Sequence, residues 1–243
     1  METVYSEFVA EGERCVRTAK ETQSALDGTR FKPKEKISYE DFLAWCDEDT
    51  LAEWVDGEII MVSPASNRHQ DLSDFLVSLL RIYTETNGLS VVRSAPLQMK
   101  LGTDLPGREP DLLFLSTANL HRLQDTYLDG PADLVVEIIS KESISRDRED
   151  KFVEYEAGGV QEYWLIDPLR SQAEFYRLRT DNRYHVVLPD AEGIYYSEVV
   201  PGFWLRVSWL WQMPLPSSVR ILAEIAGVPT ELIEAFERAL MHC

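Results

Sequence analysis

The segment Asp133-Leu-Val-Val-Glu-Ile-Ile-Ser140 constrains the fold more than any other part of this 243-residue chain. Its apolar residues fall on both faces of a strand, which predicts a strand that is buried on both sides. Such a strand lies inside a sheet that is covered on each face by other elements. The chain is therefore predicted to fold as an α/β protein.

Patterns on either side of this segment predict the elements that cover the sheet. Apolar residues recur at helical spacing from Leu72 to Tyr83, and a second helix is predicted over Arg146–Ala157. Two further helices are predicted near the end of the chain, at Leu215–Ala226 and Thr230–Leu240. Strands are predicted at 53–62 (a hairpin bent at Asp56-Gly57), 89–100, 109–115, 132–139, 162–167, 172–178, 183–188 and 194–200. Together these patterns indicate a mixed sheet flanked by helices, in one domain.

The two ends of the chain differ from this central part. Residues 1–36 are polar and mixed in charge, which predicts a flexible or loosely docked extension. Residues 37–212 are predicted to form the main domain, and residues 213–243 a helical C-terminal extension.

The composition limits the location and the partners of the protein. No run reaches the roughly 18 apolar residues of a membrane span, and the N-terminus lacks a signal-peptide pattern. The three cysteines match neither a disulfide framework nor a metal knuckle. The chain is therefore predicted to be cytoplasmic, with no membrane partner.

The net charge of −18, from 42 acidic and 24 basic residues, bears on nucleic-acid binding. It disfavours binding that is driven by the overall field of the protein, because phosphate contacts need Lys and Arg. A local basic patch, or a site where a metal ion supplies the positive charge, remains compatible with it.

Glu137 is the most informative single residue. An ionised carboxylate buried without a partner is very costly, so Glu137 needs a cation, a metal ion or strong donors, or else must be protonated. An acid in such a strand is a candidate functional group. The alternative is that Glu137 faces a solvated strand end or an Arg.

Asp111 opens a similar strand, directly before the apolar run Leu112-Leu-Phe-Leu115. If this strand neighbours 132–139, Asp111 and Glu137 converge and could hold one ion. Hard divalent cations take oxygen ligands, and Mg²⁺ commonly uses one or two carboxylates with waters. The two acids therefore predict a divalent metal site.

Asp147, Lys151 and Tyr155 are spaced i, i+4 and i+8, and so share one face of the predicted helix. The spacing alone favours an exposed Asp147–Lys151 pair that contributes about a few tenths of a kcal/mol. The functional alternative is that Lys151 reaches over the sheet to a metal-bound water or a scissile phosphate. The four histidines, His69, His121, His185 and His242, show no ligand spacing and are predicted to be ordinary surface or core residues.

The order of these motifs resembles the Uma-type restriction endonuclease family of the PD-(D/E)XK nuclease superfamily. The resemblance covers about residues 38–210. Each motif is short, but the ordered set is specific. It consists of Trp54-Val-Asp-Gly-Glu-Ile-Ile-Met-Val-Ser-Pro64 with His69, Glu109-Pro-Asp111, Glu137, Asp147, Lys151, Tyr155, the run from Ala157 to Pro168, and Pro201-Gly202.

The resemblance implies a restriction-endonuclease-like mixed β-sheet flanked by helices, and a role for each motif residue. Asp111 and Glu137 match the metal ligands of the family, with Mg²⁺ or Mn²⁺ as the ion. The motif lysine would fall at Ile139, so Lys151 on the next helix becomes the candidate catalytic lysine. Glu58 is implied as a further metal-proximal acid, with Asp147 and Tyr155 as supporting residues.

The implied activity is a divalent-metal-dependent endonuclease that hydrolyses phosphodiester bonds in DNA. A homodimer would suit duplex cleavage, because a duplex has two strands to cut. The alternative is a catalytically inactive module of the same fold that acts in binding or assembly, which the acidic charge and the absent in-strand lysine favour. Residues expected to contact phosphate are Arg93, Lys100, Arg108, Lys141, Arg146 and Arg148.

Overall fold

The computed structural model describes residues 36–46, 52–61, 65–141 and 143–241. Apart from Lys36, the extension predicted for residues 1–36 lies outside the described residues.

Helices and strands alternate along the described part of the chain. The α-helices are α1 (Tyr39–Trp45), α2 (Asn67–Thr86), α3 (Lys151–Gly158), α4 (Ser218–Ile225) and α5 (Thr230–Leu240). A π-helical turn, Arg146–Asp150, leads into α3, and 3-10 turns span Thr117–Arg122 and Val207–Trp211. The strands are β1 (Ala52–Val55), β2 (Glu58–Met61), β3 (Ser90–Ser94), β4 (Gln98–Lys100), β5 (Gly107–Arg108), β6 (Leu112–Ser116), β7 (Tyr127–Asp129), β8 (Leu134–Ile138), β9 (Glu162–Asp167), β10 (Gln172–Leu178), β11 (Tyr184–Val186), β12 (Ile194–Tyr196) and β13 (Trp204–Arg206).

The central sheet has six strands in the order β11-β10-β9-β8-β6-β3. The β8–β9 pair is parallel and the other pairs are antiparallel, so the sheet is mixed. A second mixed sheet has the order β2-β1-β5-β4-β7, and β12 and β13 form a separate two-stranded sheet. The predicted mixed-sheet α/β fold is confirmed.

The predicted two-sided burial of β8 is also confirmed. Leu134, Val136 and Ile138 belong to a core cluster that includes the buried leucines of α2. Val135, on the opposite face, belongs to a second cluster with Tyr155 of α3. Glu137 alternates with Val136 and Ile138 along the strand, so it points toward the α3 side.

Of the strands predicted as continuous, one is divided between the sheets and another starts later than predicted. The stretch predicted at 89–100 is β3 in the central sheet and β4 in the second sheet, with Pro96 between them. The stretch predicted at 109–115 starts only at Leu112, because Pro110 separates it from β5 in the second sheet. Proline has no N–H to donate to a ladder, which explains both interruptions. The two sheets therefore meet beside Asp111.

The predicted C-terminal helices are present, with α5 at the predicted bounds and α4 starting later, after Pro216. No helix in the described ranges combines the length and the apolar character that crossing a membrane requires.

We expect Leu76→Ala to lower the free energy of unfolding by about 2–5 kcal/mol, because it would leave a cavity between α2 and the central sheet. Leu76 is fully buried, whereas Ile82 on the same helix is 47% exposed. Ile82→Ala is therefore the matched control and should change stability by less than about 0.5 kcal/mol. Urea unfolding followed by circular dichroism measures both. Equal effects of the two variants would contradict the packing of α2 described above.

Candidate functional site

The candidate site lies where the two sheets meet and where α3 covers the central sheet. The antiparallel register of β6 and β8 pairs Leu112 with Val136. Continued by one residue, this register places Asp111 opposite Glu137. The predicted convergence of these two acids is therefore present at the level of the backbone.

Glu137 is buried, and two donors contact one of its carboxylate oxygens. Its side chain is 3% exposed, and its Oε1 atom accepts hydrogen bonds from Lys151 Nζ at 2.8 Å and from the Tyr155 hydroxyl at 2.6 Å. Burial raises the pKa of Glu137 to about 8, Lys151 opposes this rise, and Asp147 and Asp111 add to it. The alternative of a solvated strand end is wrong, and the cation beside Glu137 is a lysine.

Lys151 lies at the centre of a group of carboxylates. Besides Glu137, its Nζ atom is 3.1 Å from Glu53 Oε1 and 3.7 Å from Asp147 Oδ1. Although burial lowers the pKa of Lys151, these three carboxylates raise it above its ordinary value, so the ammonium stays charged. The expectation of an exposed Asp147–Lys151 pair is wrong, since each residue is only 2% exposed.

The π-helical turn before α3 places Asp147 beside this cluster. The Lys151 N–H donates to the carbonyl of Arg146, and the Asp147 carbonyl instead accepts from the buried hydroxyl of Tyr163 at 2.9 Å. Turns of this kind are frequent at functional sites. Burial raises the pKa of Asp147, while Lys151 lowers it.

Glu53 is a member of the cluster that the sequence reasoning missed. It lies on β1, is 1% exposed, and accepts a hydrogen bond from Arg108 NH1 at 3.0 Å in addition to its contact with Lys151. Although burial opposes it, Lys151, Arg108 and Arg146 lower the pKa of Glu53 to about 2. The signal was weak, because Glu53 interrupts an apolar strand of only four residues, which is too short to identify a buried strand.

Glu58, which the resemblance implied, lies on β2 opposite Val55. Because paired residues and residues two apart share a face of a hairpin, Glu58 is on the same face as Glu53 and closer to the turn.

Arg108 ties β5 to α3 and cannot serve as a phosphate contact. It is 2% exposed, and its Nε and NH2 atoms donate to both oxygens of Glu154, at 2.6 and 2.7 Å. The expectation that Arg108 contacts phosphate is therefore wrong. Its charge instead offsets those of Glu53 and Glu154 inside the protein.

Asp111 lies at the more accessible edge of the site. Its Oδ2 atom accepts from the Ile138 N–H at 2.6 Å and lies 3.2 Å from His69 Nε2. The side chains of His69 and Asp111 are 15% and 20% exposed. Although burial lowers the pKa of His69, the hydrogen bond and charge of Asp111 raise it. This contact contradicts the expectation that His69 is an ordinary surface or core residue.

Comparisons with known proteins assign the chain to a family. A family model, Uma2, described as "Putative restriction endonuclease", matches residues 39–208. The chain belongs to this family. No curated protein matches the chain.

A solved structure shares the fold of this Uma2-family chain. It is a protein from Anabaena variabilis, described as a putative nuclease belonging to DUF820. The two chains are 17% identical and superpose with a TM-score of 0.60, over 72% of this chain and 97% of the other. The restriction-endonuclease-like fold is confirmed. The family supports a nuclease-type function.

The carboxylates of this Uma2-family site are crowded. Burial raises the pKa of Glu109 to about 7, with Glu53 and Asp111 contributing, just as Asp147 and Asp111 contribute to that of Glu137. Acids whose pKa values are raised by neighbouring acids are relieved by a nearby cation. The site therefore has the electrostatics of a place that attracts positive charge.

The donor set fits a hard divalent cation. In the described ranges, no group of three or more His, Cys, Asp or Glu side chains is arranged to hold a metal ion. Mg²⁺, however, is commonly held by only one or two carboxylates with waters and substrate phosphate. Asp111 and Glu137 match that mode.

We expect Lys151→Met to lower the free energy of unfolding by about 3–5 kcal/mol, because it leaves buried carboxylates without their shared cation. The matched control is Arg183→Met, which removes the exposed ion pair between Arg183 and Glu156 and should cost less than about 1 kcal/mol. Urea unfolding at neutral pH measures both. A Lys151→Met variant as stable as the control would contradict the buried network.

Glu53→Gln should destabilise the protein most at neutral pH. The pKa of Glu53 in the folded protein, about 2, lies below its ordinary value of 4.5. Its ionised form therefore stabilises the fold at any pH above about 4.5. This contribution is lost as the pH falls toward the folded value. Urea unfolding gives the free energy of unfolding of the variant and of the wild type. The difference between the two values should become smaller as the pH is lowered from about 5 to about 3. A difference that stays constant over this range would contradict an ionised Glu53.

Proposed function

We propose that this protein is an endonuclease of the PD-(D/E)XK type that hydrolyses phosphodiester bonds in DNA and depends on Mg²⁺ or Mn²⁺. The observation that carries this proposal is the position of Asp111 opposite Glu137, with the charged Lys151 ammonium 2.8 Å from the Glu137 carboxylate. Membership of the Uma2 family supports the reaction class.

Asp111 and Glu137 would hold the metal ion, with Glu58 as a further acid near it. When bound, such an ion makes a water molecule more acidic and stabilises negative charge on a phosphoryl group. Tyr155 and the Ile138 N–H orient the two carboxylates from the protein side, by the hydrogen bonds described above.

Lys151 supplies the positive charge that the superfamily places two residues after the glutamate. That position is occupied by Ile139, whose side chain is buried in the core. Because the pKa of Lys151 is raised, we assign it an electrostatic role toward the phosphate or the attacking water, rather than that of a proton acceptor at neutral pH. Asp147 and Glu53 hold it in position.

Basic residues near the site would contact the DNA backbone. Lys141 and Arg93 are exposed, and Arg146 is 24% exposed. Lys141 follows β8 closely, so it lies on the chain only four residues beyond Glu137. Since the chain is strongly acidic overall, binding would depend on these local charges and on the metal ion. A homodimer would present two such sites to a duplex.

One observation favours the alternative, an inactive module that acts in binding or assembly. Lys151 already compensates Glu53 and Glu137 within the protein, so the network is stable without a metal ion. Metal binding therefore distinguishes the two functions.

The test is calorimetric titration of Mn²⁺ and Mg²⁺, followed by incubation with plasmid DNA. We expect the wild type to bind the metal and nick the plasmid, and Asp111→Asn and Glu137→Gln to lose both, because each removes a carboxylate ligand. Lys151→Met should keep metal binding but nick about 10²–10³-fold more slowly, as when one charge-stabilising donor is removed.

The matched control is Asp133→Asn, which alters another buried carboxylate just before β8. Its oxygens accept from the Ser116 N–H and from Asn119, away from the site. This variant should bind metal and nick DNA as the wild type does. If the wild type binds neither Mn²⁺ nor Mg²⁺, the endonuclease proposal is wrong and the binding or assembly module is favoured.

A further inference from the structure

His69 is placed beside Asp111 by the start of α2. Ser66 is the N-cap of this helix, and its hydroxyl accepts a hydrogen bond from the His69 N–H at 3.2 Å. His69 is therefore the third residue of the helix, with its backbone held by the cap.

The side chain of His69 continues the buried stripe of α2. His69, Leu72, Leu76 and Leu79 are spaced i, i+3, i+7 and i+10, so they lie on one face of the helix. The three leucines are fully buried against the central sheet. His69 extends this stripe by one turn, past the end of β6, where Asp111 lies. A polar side chain is accommodated at this position because its neighbour is a carboxylate.

Among the described residues, two donors contact the same oxygen atom of the Asp111 carboxylate. The Ile138 N–H and His69 Nε2 both contact Oδ2, at 2.6 and 3.2 Å. Two donors from different elements, β8 and α2, thus determine the orientation of the carboxylate. Oδ1 is the oxygen that these two donors do not use.

We propose that His69 is a positioning residue for Asp111, and that its hydrogen bond to Oδ2 orients the carboxylate to bind a divalent cation through Oδ1. The inference rests on the proposed function, because it concerns the same cation. Donors that fix a metal-binding carboxylate in this way typically change metal affinity by about 10- to 100-fold.

The test is calorimetric titration of Mn²⁺ into the wild type, His69→Ala and His69→Gln. We expect His69→Ala to bind Mn²⁺ about 10- to 100-fold more weakly. His69→Gln should recover most of the affinity, because the amide nitrogen of Gln can donate from nearly the same position as Nε2. Plasmid nicking should follow the same order.

The chain offers a matched control in His185. Its Nε2 atom lies 2.9 Å from Asp181 Oδ2, but the side chains of this His–Asp pair are more than half exposed, and His185 lies on β11. His185→Ala should therefore bind Mn²⁺ as the wild type does. Melting temperatures without metal separate a loss of affinity from a loss of folding.

The outcomes are distinguishable. If the wild type binds Mn²⁺ and His69→Ala binds it equally well, the positioning role is overturned while the proposed function stands. Equal weakening in His69→Ala and His69→Gln would also overturn it, because the donated hydrogen bond would then be irrelevant. If the wild type binds no Mn²⁺, the proposed function fails, and this inference fails with it.

Discussion

The ammonium group of Lys151 is buried among carboxylates that come from three different parts of the fold. It joins Glu53 of β1, Glu137 of β8 and Asp147 of the π-helical turn. Burying so many charges is costly. The cost is offset because the ammonium lies 2.8 Å from Glu137, 3.1 Å from Glu53 and 3.7 Å from Asp147. The lysine therefore links β1 of the second sheet and α3 to β8 of the central sheet. These contacts lie beside the place where the register of β6 and β8 sets Asp111 opposite Glu137.

The site has a buried part and an accessible part, with different chemistry. The side chains of Glu137 and Lys151 are each 3% exposed, whereas the side chains of Asp111 and His69 are 20% and 15% exposed. A ligand from solvent would contact Asp111 first, because Glu137 and Lys151 lie deeper in the protein. This site lies in a chain that belongs to the Uma2 family and shares the fold of a solved protein described as a putative nuclease.

Part of the site could be predicted because the signal that identifies it is local in the sequence. An acid inside a strand with apolar residues on both faces indicates a functional group, and this signal identified Glu137. Glu53 carries the same signal in β1, but β1 is a short strand whose burial on both faces cannot be inferred from four residues. The contact of His69 could not be predicted, because it joins residues 42 positions apart along the chain.

Local patterns in the sequence were enough to predict the α/β class, the buried central strand, the positions of α2 and α5, and an acid at each of two buried strands. The periodicity of apolar residues and the presence of an acid within an apolar run are properties of short segments. They can therefore be recognised in the sequence alone. The burial of Lys151 and of Arg108 follows from tertiary packing. The contact between His69 and Asp111 also exists only in the folded chain. These outcomes depend on which surfaces the two sheets and α3 present to one another, and helical spacing alone carries no information about what covers a helix face.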